Sequence, residues 1–193
     1  MGKHVGRRRC APGGDQKGAA RLFAEADNLR VWHWLNPAWS LEVEDGAHVR
    51  EVRPQGDTAR VPKEQRDKRV IPAAVKRTVL ARDGFRCRFC GIPVVAAEIR
   101  KIVHRLYPES VPWHSSEVRR QHAGFAVMWL QYDHVVPLSH GGRTAESNLV
   151  ITCALCNFAK WNNKLKQLHL EDPRDRAPQK MVGYDGLERL GKA

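Results

Sequence analysis

The sequence predicts an α+β fold whose central unit is a strand, a loop, a second strand and a helix. Residues 131–136 (QYDHVV) are predicted to form a strand, and Pro137 ends it. A second short strand is predicted over residues 148–152. A helix begins at Asn157 and contains Lys164. Strands and helices of this order, preceded by helical segments, are typical of an α+β domain.

The region before this unit divides into a tail and a small N-terminal unit. Residues 1–18 are rich in Gly, Pro and Arg, which predicts a flexible basic tail. Residues 19–62 form the small unit, with a helix over 19–29 and a β-hairpin over 41–52 around an Asp-Gly turn. Three tryptophans lie between them, and a hydrophobic cluster explains them better than base stacking does. They are Trp32, Trp34 and Trp39.

The main domain is predicted over residues 63–170. Residues 63–88 carry nine Lys and Arg against three acids, and Pro72 begins a helix there. The basic residues of this helix either face the phosphates of a nucleic acid or form an ordinary solvent-exposed helix face. A helical insertion over residues 92–131 separates the helix from the strands, with helices near 95–106 and 116–130. Residues 171–193 are predicted to be a loop-like C-terminal tail.

The composition excludes some classes of protein and favours another. The net charge is +12, which suits a polyanionic partner such as nucleic acid. No stretch of about 18 apolar residues is present, so no transmembrane helix or membrane partner is predicted. The basic N-terminus lacks the apolar segment of a secretory signal. We therefore expect a cytoplasmic protein.

The cysteines predict a metal site. Four of the five form two CxxC pairs, Cys87 with Cys90 and Cys153 with Cys156, while Cys10 stands alone. In a reducing compartment such pairs indicate metal ligands before disulfides, and no thioredoxin-like context supports a redox pair. Four thiolates select zinc and leave no open position, so the zinc would be structural. The 62 residues between the pairs exceed an ordinary zinc-ribbon interval.

Polar residues between and beside these pairs have the chemistry of a hydrolytic site. Phosphodiester cleavage needs a base to activate water and a cation to stabilise the developing charge. His134 suits the base, because imidazole titrates near neutral pH. Oxygen ligands from Asp133 and Asn157 suit Mg²⁺ or Mn²⁺. Asn148 could hydrogen-bond across the loop and hold the backbone around His134.

The motifs CRFCG and YDHVVPLSHGGRTAESNLVITCALCN resemble the HNH family of endonucleases, in the branch whose first motif residue is Asp. The resemblance covers about residues 75–166 and implies a zinc-stapled ββα-metal core. It implies that Asp133 and Asn157 bind the catalytic cation and that His134 is the general base. It also implies that Asn148 orients the His loop and that Lys160 lies near the scissile phosphate.

The sequence therefore predicts a DNA endonuclease with structural Zn²⁺ and catalytic Mg²⁺ or Mn²⁺, cutting to 3′-hydroxyl and 5′-phosphate ends as the family resemblance implies. A role in restriction, phage or mobile-element DNA processing would fit, and two-strand cleavage would favour a homodimer. The alternatives are a non-catalytic zinc module that binds nucleic acid and an RNA- or structure-specific nuclease. Five basic residues are predicted to contact nucleic acid: Lys76, Arg77, Arg82, Arg143 and Lys164.

Overall fold

A computed structural model describes residues 15–28, 56 and 59–191 of the chain. The predicted hairpin, the three tryptophans before it and most of the basic tail lie outside these residues. The described part combines helices with a two-stranded antiparallel sheet, which confirms the α+β prediction. No helix in the described ranges has the length and apolar character needed to cross a membrane.

Five α-helices and two strands make up the regular structure of the described residues. The helices are α1 (Gln16–Ala26), α2 (Ala73–Asp83), α3 (Ala97–Leu106), α4 (Ala123–Val127) and α5 (Ala154–Lys160). The strands are β1 (Leu130–His134) and β2 (Leu149–Cys153). Short 3-10 turns link them, among them Lys63–Gln65, Leu138–His140 and Glu146–Asn148.

The β1–β2 hairpin is the centre of the domain. Its strands pair so that Asp133 lies opposite Val150 and His134 lies opposite Leu149. All five residues of β2 are buried, because α2 packs against it on one side. The apolar cluster around the hairpin consists of Val79, Cys87, Val94, Leu130, Leu149, Ile151 and Cys153. Two of the cysteines are thus part of the hydrophobic core.

Helix α2 is tied to the hairpin through its last residue. Pro72 precedes the helix, and Gly84 ends it with φ of +68°, a conformation that glycine adopts at no steric cost. The Asp83 carboxylate is fully buried and accepts a hydrogen bond of 3.0 Å from the Ile151 N–H. Arg82 donates two hydrogen bonds to the same carboxylate, at 2.8 and 2.9 Å. This buried contact fixes the angle between α2 and the sheet.

The insertion has less helix than the sequence predicts. Its second helix, expected near residues 116–130, is only the five residues of α4, so that prediction was wrong in length. The His122 side chain caps α4 by accepting from the Phe125 N–H at 3.2 Å. The Leu130 N–H donates to the Val95 carbonyl at 2.9 Å, which draws this residue out of the helix and into β1.

Both ends of the described chain pack onto the insertion. Helix α1 begins three residues before the predicted position because the Asp15 carboxylate caps it, accepting from the Gly18 N–H at 2.7 Å. The expected C-terminal tail contributes Tyr184, Leu187 and Leu190 to the apolar cluster of α3. The structure therefore places residues 171–191 against the domain surface.

Candidate metal centre and hydrolytic site

The four paired cysteines lie together in the structure. Their sulfur atoms all fall within 4.8 Å of one another, and Cys90 Sγ lies 3.8 Å from Cys153 Sγ. A tetrahedral site with Zn–S bonds of about 2.3 Å has sulfur–sulfur edges of about 3.8 Å, which matches this spacing. Within the described ranges, the cysteines form the one cluster of three or more His, Cys, Asp or Glu residues suited to a metal. This cluster can hold a metal ion.

Each CxxC pair lies on a turn that is closed by hydrogen bonds from backbone N–H groups. The first pair is closed by a hydrogen bond of 3.0 Å from the Gly91 N–H to the Cys87 carbonyl, and Gly91 has φ of +79°. In the second pair, Cys153 caps α5, and its sulfur accepts from the Cys156 N–H at 3.4 Å. Hydrogen bonds with Cys153 and Cys156 lower the pKa of Cys90 to about 7, whereas hydrogen bonds within the same cluster raise the pKa of Cys156.

The second turn also corrects the predicted start of the final helix. Because Cys153 is its cap, α5 begins at Ala154 and not at Asn157. The helix ends at Lys160, where Trp161 turns to φ of +51°. Lys164 therefore lies beyond the helix in which the sequence placed it, and its N–H donates to the Gln167 side chain at 2.7 Å.

Asn148 spans the loop between the two strands. Its amide nitrogen donates to the Val136 and Arg143 carbonyls, both at 2.9 Å, and its amide oxygen accepts from the Val136 N–H at 2.9 Å. Gly142 makes this packing possible, because a Cβ atom there would lie 1.8 Å from the Val136 carbonyl oxygen. These contacts hold the backbone that follows His134 in one conformation.

His134 ends β1 as a half-buried ring. Its Nε2 atom lies 3.0 Å from Thr144 Oγ1, and that hydroxyl donates to the Lys68 carbonyl at 2.5 Å. Burial lowers the pKa of His134, and the charges of Lys160 and Arg69 lower it further. The ring is therefore held neutral at physiological pH, which is the state a proton acceptor needs.

Asp133 and Lys160 form a buried ion pair beside this histidine. Asp133 is 6% exposed and Lys160 is 2% exposed. Lys160 Nζ donates to Asp133 Oδ1 at 3.2 Å and to the His134 carbonyl at 2.9 Å. Asp133 Oδ2 is 3.1 Å from the same ammonium but accepts no hydrogen bond. Burial raises the pKa of Asp133 to about 6, even though Lys160 opposes the shift.

Asn157 approaches the same region from α5. It lies one helical turn before Lys160, so the two side chains share a face of the helix. The side-chain amide is half-buried and makes no hydrogen bond to another described residue. Carboxylate and amide oxygens of this kind are ligands that Mg²⁺ or Mn²⁺ accepts.

Some of the basic residues predicted to contact phosphate are exposed, and others bind groups of the protein. Arg77 and Arg143 are exposed, and Lys76 is exposed with its ammonium 5.7 Å from the Tyr132 ring centre. Arg82 instead binds Asp83 and the Glu146 and Leu149 carbonyls. Lys160 points inward to Asp133, so its ammonium does not face solvent in this structure.

Sequence reasoning missed the residues that support His134. Thr144 lies in the same loop, but a threonine in a polar loop has no distinguishing pattern. Asp67 accepts the Thr144 N–H at 2.8 Å from a position 77 residues earlier in the chain. Only the fold reveals this contact.

One comparison with known proteins identifies this region. Residues 120–163 match the family model described as HNH endonuclease. The match includes both strands, the loop between them and α5, while Cys87, Cys90 and Asp67 lie outside it. Searches of curated proteins and of solved structures found no significant match.

Proposed function

We propose that the chain, whose residues 120–163 match the HNH endonuclease family model, hydrolyses phosphodiester bonds in DNA with the help of a divalent cation. The observation that carries this proposal is the setting of His134. Its neutral ring ends β1 beside a buried carboxylate, and the loop after it is held by Asn148. A binding module has no need of this arrangement.

The four cysteines hold a structural zinc ion in this proposal. Their spacing fits tetrahedral sulfur coordination and leaves no open ligand position. Cys87 comes from the turn after α2, and Cys153 comes from the junction of β2 and α5. The zinc would therefore clamp the turn after α2 to the junction of β2 with α5, the helix that carries Asn157.

Asp133 and Asn157 would hold the catalytic cation, which would be Mg²⁺ or Mn²⁺. Asp133 Oδ2 accepts no hydrogen bond, and the Asn157 side-chain amide makes none to another described residue, which supports this assignment. When bound, the cation would neutralise charge on the scissile phosphate and on the leaving oxygen. Lys160 already pairs with the Asp133 carboxylate, so the cation must compete with this ammonium.

His134 acts as the general base. It takes a proton from a water molecule, the water oxygen forms a bond to phosphorus, and the bond from phosphorus to the 3′ oxygen breaks. The leaving oxygen takes up a proton from solvent. The products are a 3′-hydroxyl and a 5′-phosphate. Asn148 keeps His134 at the end of β1 while the proton moves.

The charge of the chain supports a DNA substrate. The net charge is +12, and Arg77, Arg143 and Lys76 are exposed cations of the domain. Restriction of foreign DNA or processing of phage DNA would use this activity, and a homodimer would cut both strands. We also propose a cytoplasmic location, where thiols stay reduced and free to bind zinc.

Cleavage of supercoiled plasmid tests the proposal. Wild-type protein should nick or linearise plasmid with Mg²⁺ or Mn²⁺ and not with EDTA. His134→Ala should lose about 10²–10⁴-fold in rate, the usual contribution of a general base. His114→Ala, a histidine of the insertion that contacts its own turn, is the matched control. If wild-type protein binds DNA but never cuts it, the chain is a zinc-containing binding module.

Competition between substrates tests the choice of DNA. Duplex DNA, single-stranded DNA and RNA of one sequence should be offered together. We expect duplex DNA to be cut fastest. Preferential cleavage of RNA or of a branched structure would replace the proposed substrate and leave the hydrolytic mechanism in place.

A further inference from the structure

We infer that Thr144 is a positioning residue that keeps the proton of His134 on Nε2 and leaves Nδ1 as the atom that accepts a proton from water. This inference rests on the proposed function, because it assigns the basic atom of that same site. It also gives a role to the segment 67–69, which lies outside the residues that match the family model.

The direction of two hydrogen bonds leads to this assignment. The Thr144 hydroxyl lies 2.5 Å from the Lys68 carbonyl oxygen, which can only accept. A hydroxyl has one hydrogen to donate, and Thr144 donates it to the Lys68 carbonyl oxygen. Toward His134, 3.0 Å away, the hydroxyl oxygen can only accept. The donor must therefore be the ring, and Nε2 must carry its hydrogen.

The protonation of Nε2 determines the state of the other ring nitrogen, Nδ1. A neutral imidazole carries one hydrogen, so Nδ1 has a free lone pair when Nε2 is protonated. His134 Nδ1 has no hydrogen-bond partner among the described residues. It is therefore available to a water molecule.

The segment before α2 holds Thr144 in place. Asp67 accepts from the Thr144 N–H at 2.8 Å, and Lys68 accepts from its hydroxyl. Asp67 also accepts from the Lys68 N–H at 2.8 Å, which orders the carbonyl that Thr144 needs. Arg66 Nε donates to the Val61 carbonyl at 2.8 Å and anchors the segment on its other side. Both groups that Thr144 contacts therefore belong to one ordered turn.

Nitrogen NMR of the histidine rings tests the tautomer without any cleavage assay. The sample is the full-length, zinc-loaded protein with ¹⁵N-labelled histidine and no added Mg²⁺, at a pH where the ring is neutral. Comparison with His134→Gln identifies the signals of His134. Wild-type protein should show the hydrogen on Nε2. Thr144→Val, which keeps the shape and removes the acceptor, should shift the ring toward the Nδ1–H form.

Thr144→Ser is the matched control, because it restores the hydroxyl. We expect it to return the Nε2–H form. A hydrogen on Nδ1 in the wild-type protein would overturn the inference, as would an unchanged tautomer in Thr144→Val. The wild-type spectrum alone decides the first point, so the test holds even if Thr144→Val does not fold.

Kinetics provide the second readout. For histidines that bind a catalytic metal, loss of the hydrogen-bond partner that orients the ring typically costs about 10–100-fold in activity. By analogy, Thr144→Val should lower the kcat of cleavage by roughly tenfold or more and leave the Kd for DNA unchanged. Thr144→Ser should have a kcat close to that of the wild-type protein. An equal loss in both variants would indicate a merely structural role. If wild-type protein cuts no DNA, the proposed function fails, and the NMR result still decides the tautomer.

Discussion

The cysteine cluster and the His134 site share the β1–β2 hairpin and α5, but they are built in different ways. Each cysteine pair lies on one short turn, and the four sulfurs meet within 4.8 Å. The His134 site depends instead on supports from elsewhere, because Asn148, Thr144 and the segment near Asp67 hold the ring and its loop. The geometry of the cysteine cluster is determined by the sequence spacing of its own ligands. A hydrolytic site is determined by the residues around it.

The two sites also treat charge differently. The cysteine cluster consists of four sulfur ligands, and one metal cation can neutralise the negative charge of their thiolates. The hydrolytic site already contains a cation of its own, since Lys160 neutralises Asp133 in the buried core. The cysteine cluster can therefore hold a metal ion, whereas the buried Asp133 carboxylate already has a counter-charge in Lys160.

Removal of a zinc ligand should have the largest effect. Structural zinc in small domains contributes about 10–16 kcal/mol of apparent binding free energy, and this becomes folding free energy. Cys153→Ser should therefore lose both zinc and the cooperative unfolding transition, because Cys153 is also in the core. Metal analysis and circular dichroism measure these losses. Cys10→Ser is the control and should keep one zinc per chain.

Loss of Lys160 should be the next largest effect. Lys160→Met leaves the buried Asp133 carboxylate without a counter-charge, and breaking a buried pair costs about 3–5 kcal/mol. The double variant Asp133→Asn with Lys160→Met removes both charges, so it should recover much of that loss. Urea unfolding of the four proteins measures the coupling. Simple addition of the two single effects would show that the pair is not coupled.

The pH dependence of stability should reveal Asp133. Its folded pKa is raised to about 6 by burial, above the value of about 3.9 in unfolded chains. The charged carboxylate therefore costs stability above pH 6, and this cost disappears as the pH falls from about 6 to about 4. Relative to Asp133→Asn, wild-type protein should gain on the order of 2 kcal/mol over this window.

Thermal unfolding of both proteins across that range is the measurement. His134 acts in the opposite direction, because its pKa is lowered and its protonation at low pH opposes folding. Both proteins keep His134, so the comparison cancels its contribution. A difference that stays constant with pH would mean that Asp133 titrates normally.

Asn148→Ala should have the smallest of these effects on stability. It leaves the Val136 N–H and two carbonyls without partners, but these contacts are only partly buried, so water can replace them and the cost should be about 1 kcal/mol. Cleavage should also fall, since the loop after His134 is released. Hydrogen exchange at the Val136 amide should speed up. Asn162→Ala, just beyond α5, should change neither exchange nor cleavage.

The sequence was informative where local spacing decides structure. The cysteine pairs, Asn148 and both strands are local patterns, and the strands were predicted to within two residues of their ends. The start of α5 was wrong because a cysteine replaced the usual cap. The burial of Lys160 was missed because its partner lies 27 residues away. The contact from Asp67 to Thr144 depends on the packing of the whole domain.

In the proposed enzyme, four sulfur ligands hold a structural zinc ion, and oxygen ligands hold a catalytic cation with a separate task. The most direct test treats zinc-loaded protein briefly with EDTA, then measures bound zinc and plasmid cleavage in the same sample. We predict that one zinc per chain remains, that cleavage is lost, and that Mg²⁺ or Mn²⁺ restores it. Cleavage that disappears only with the zinc and returns with zinc alone would contradict two metals with separate tasks.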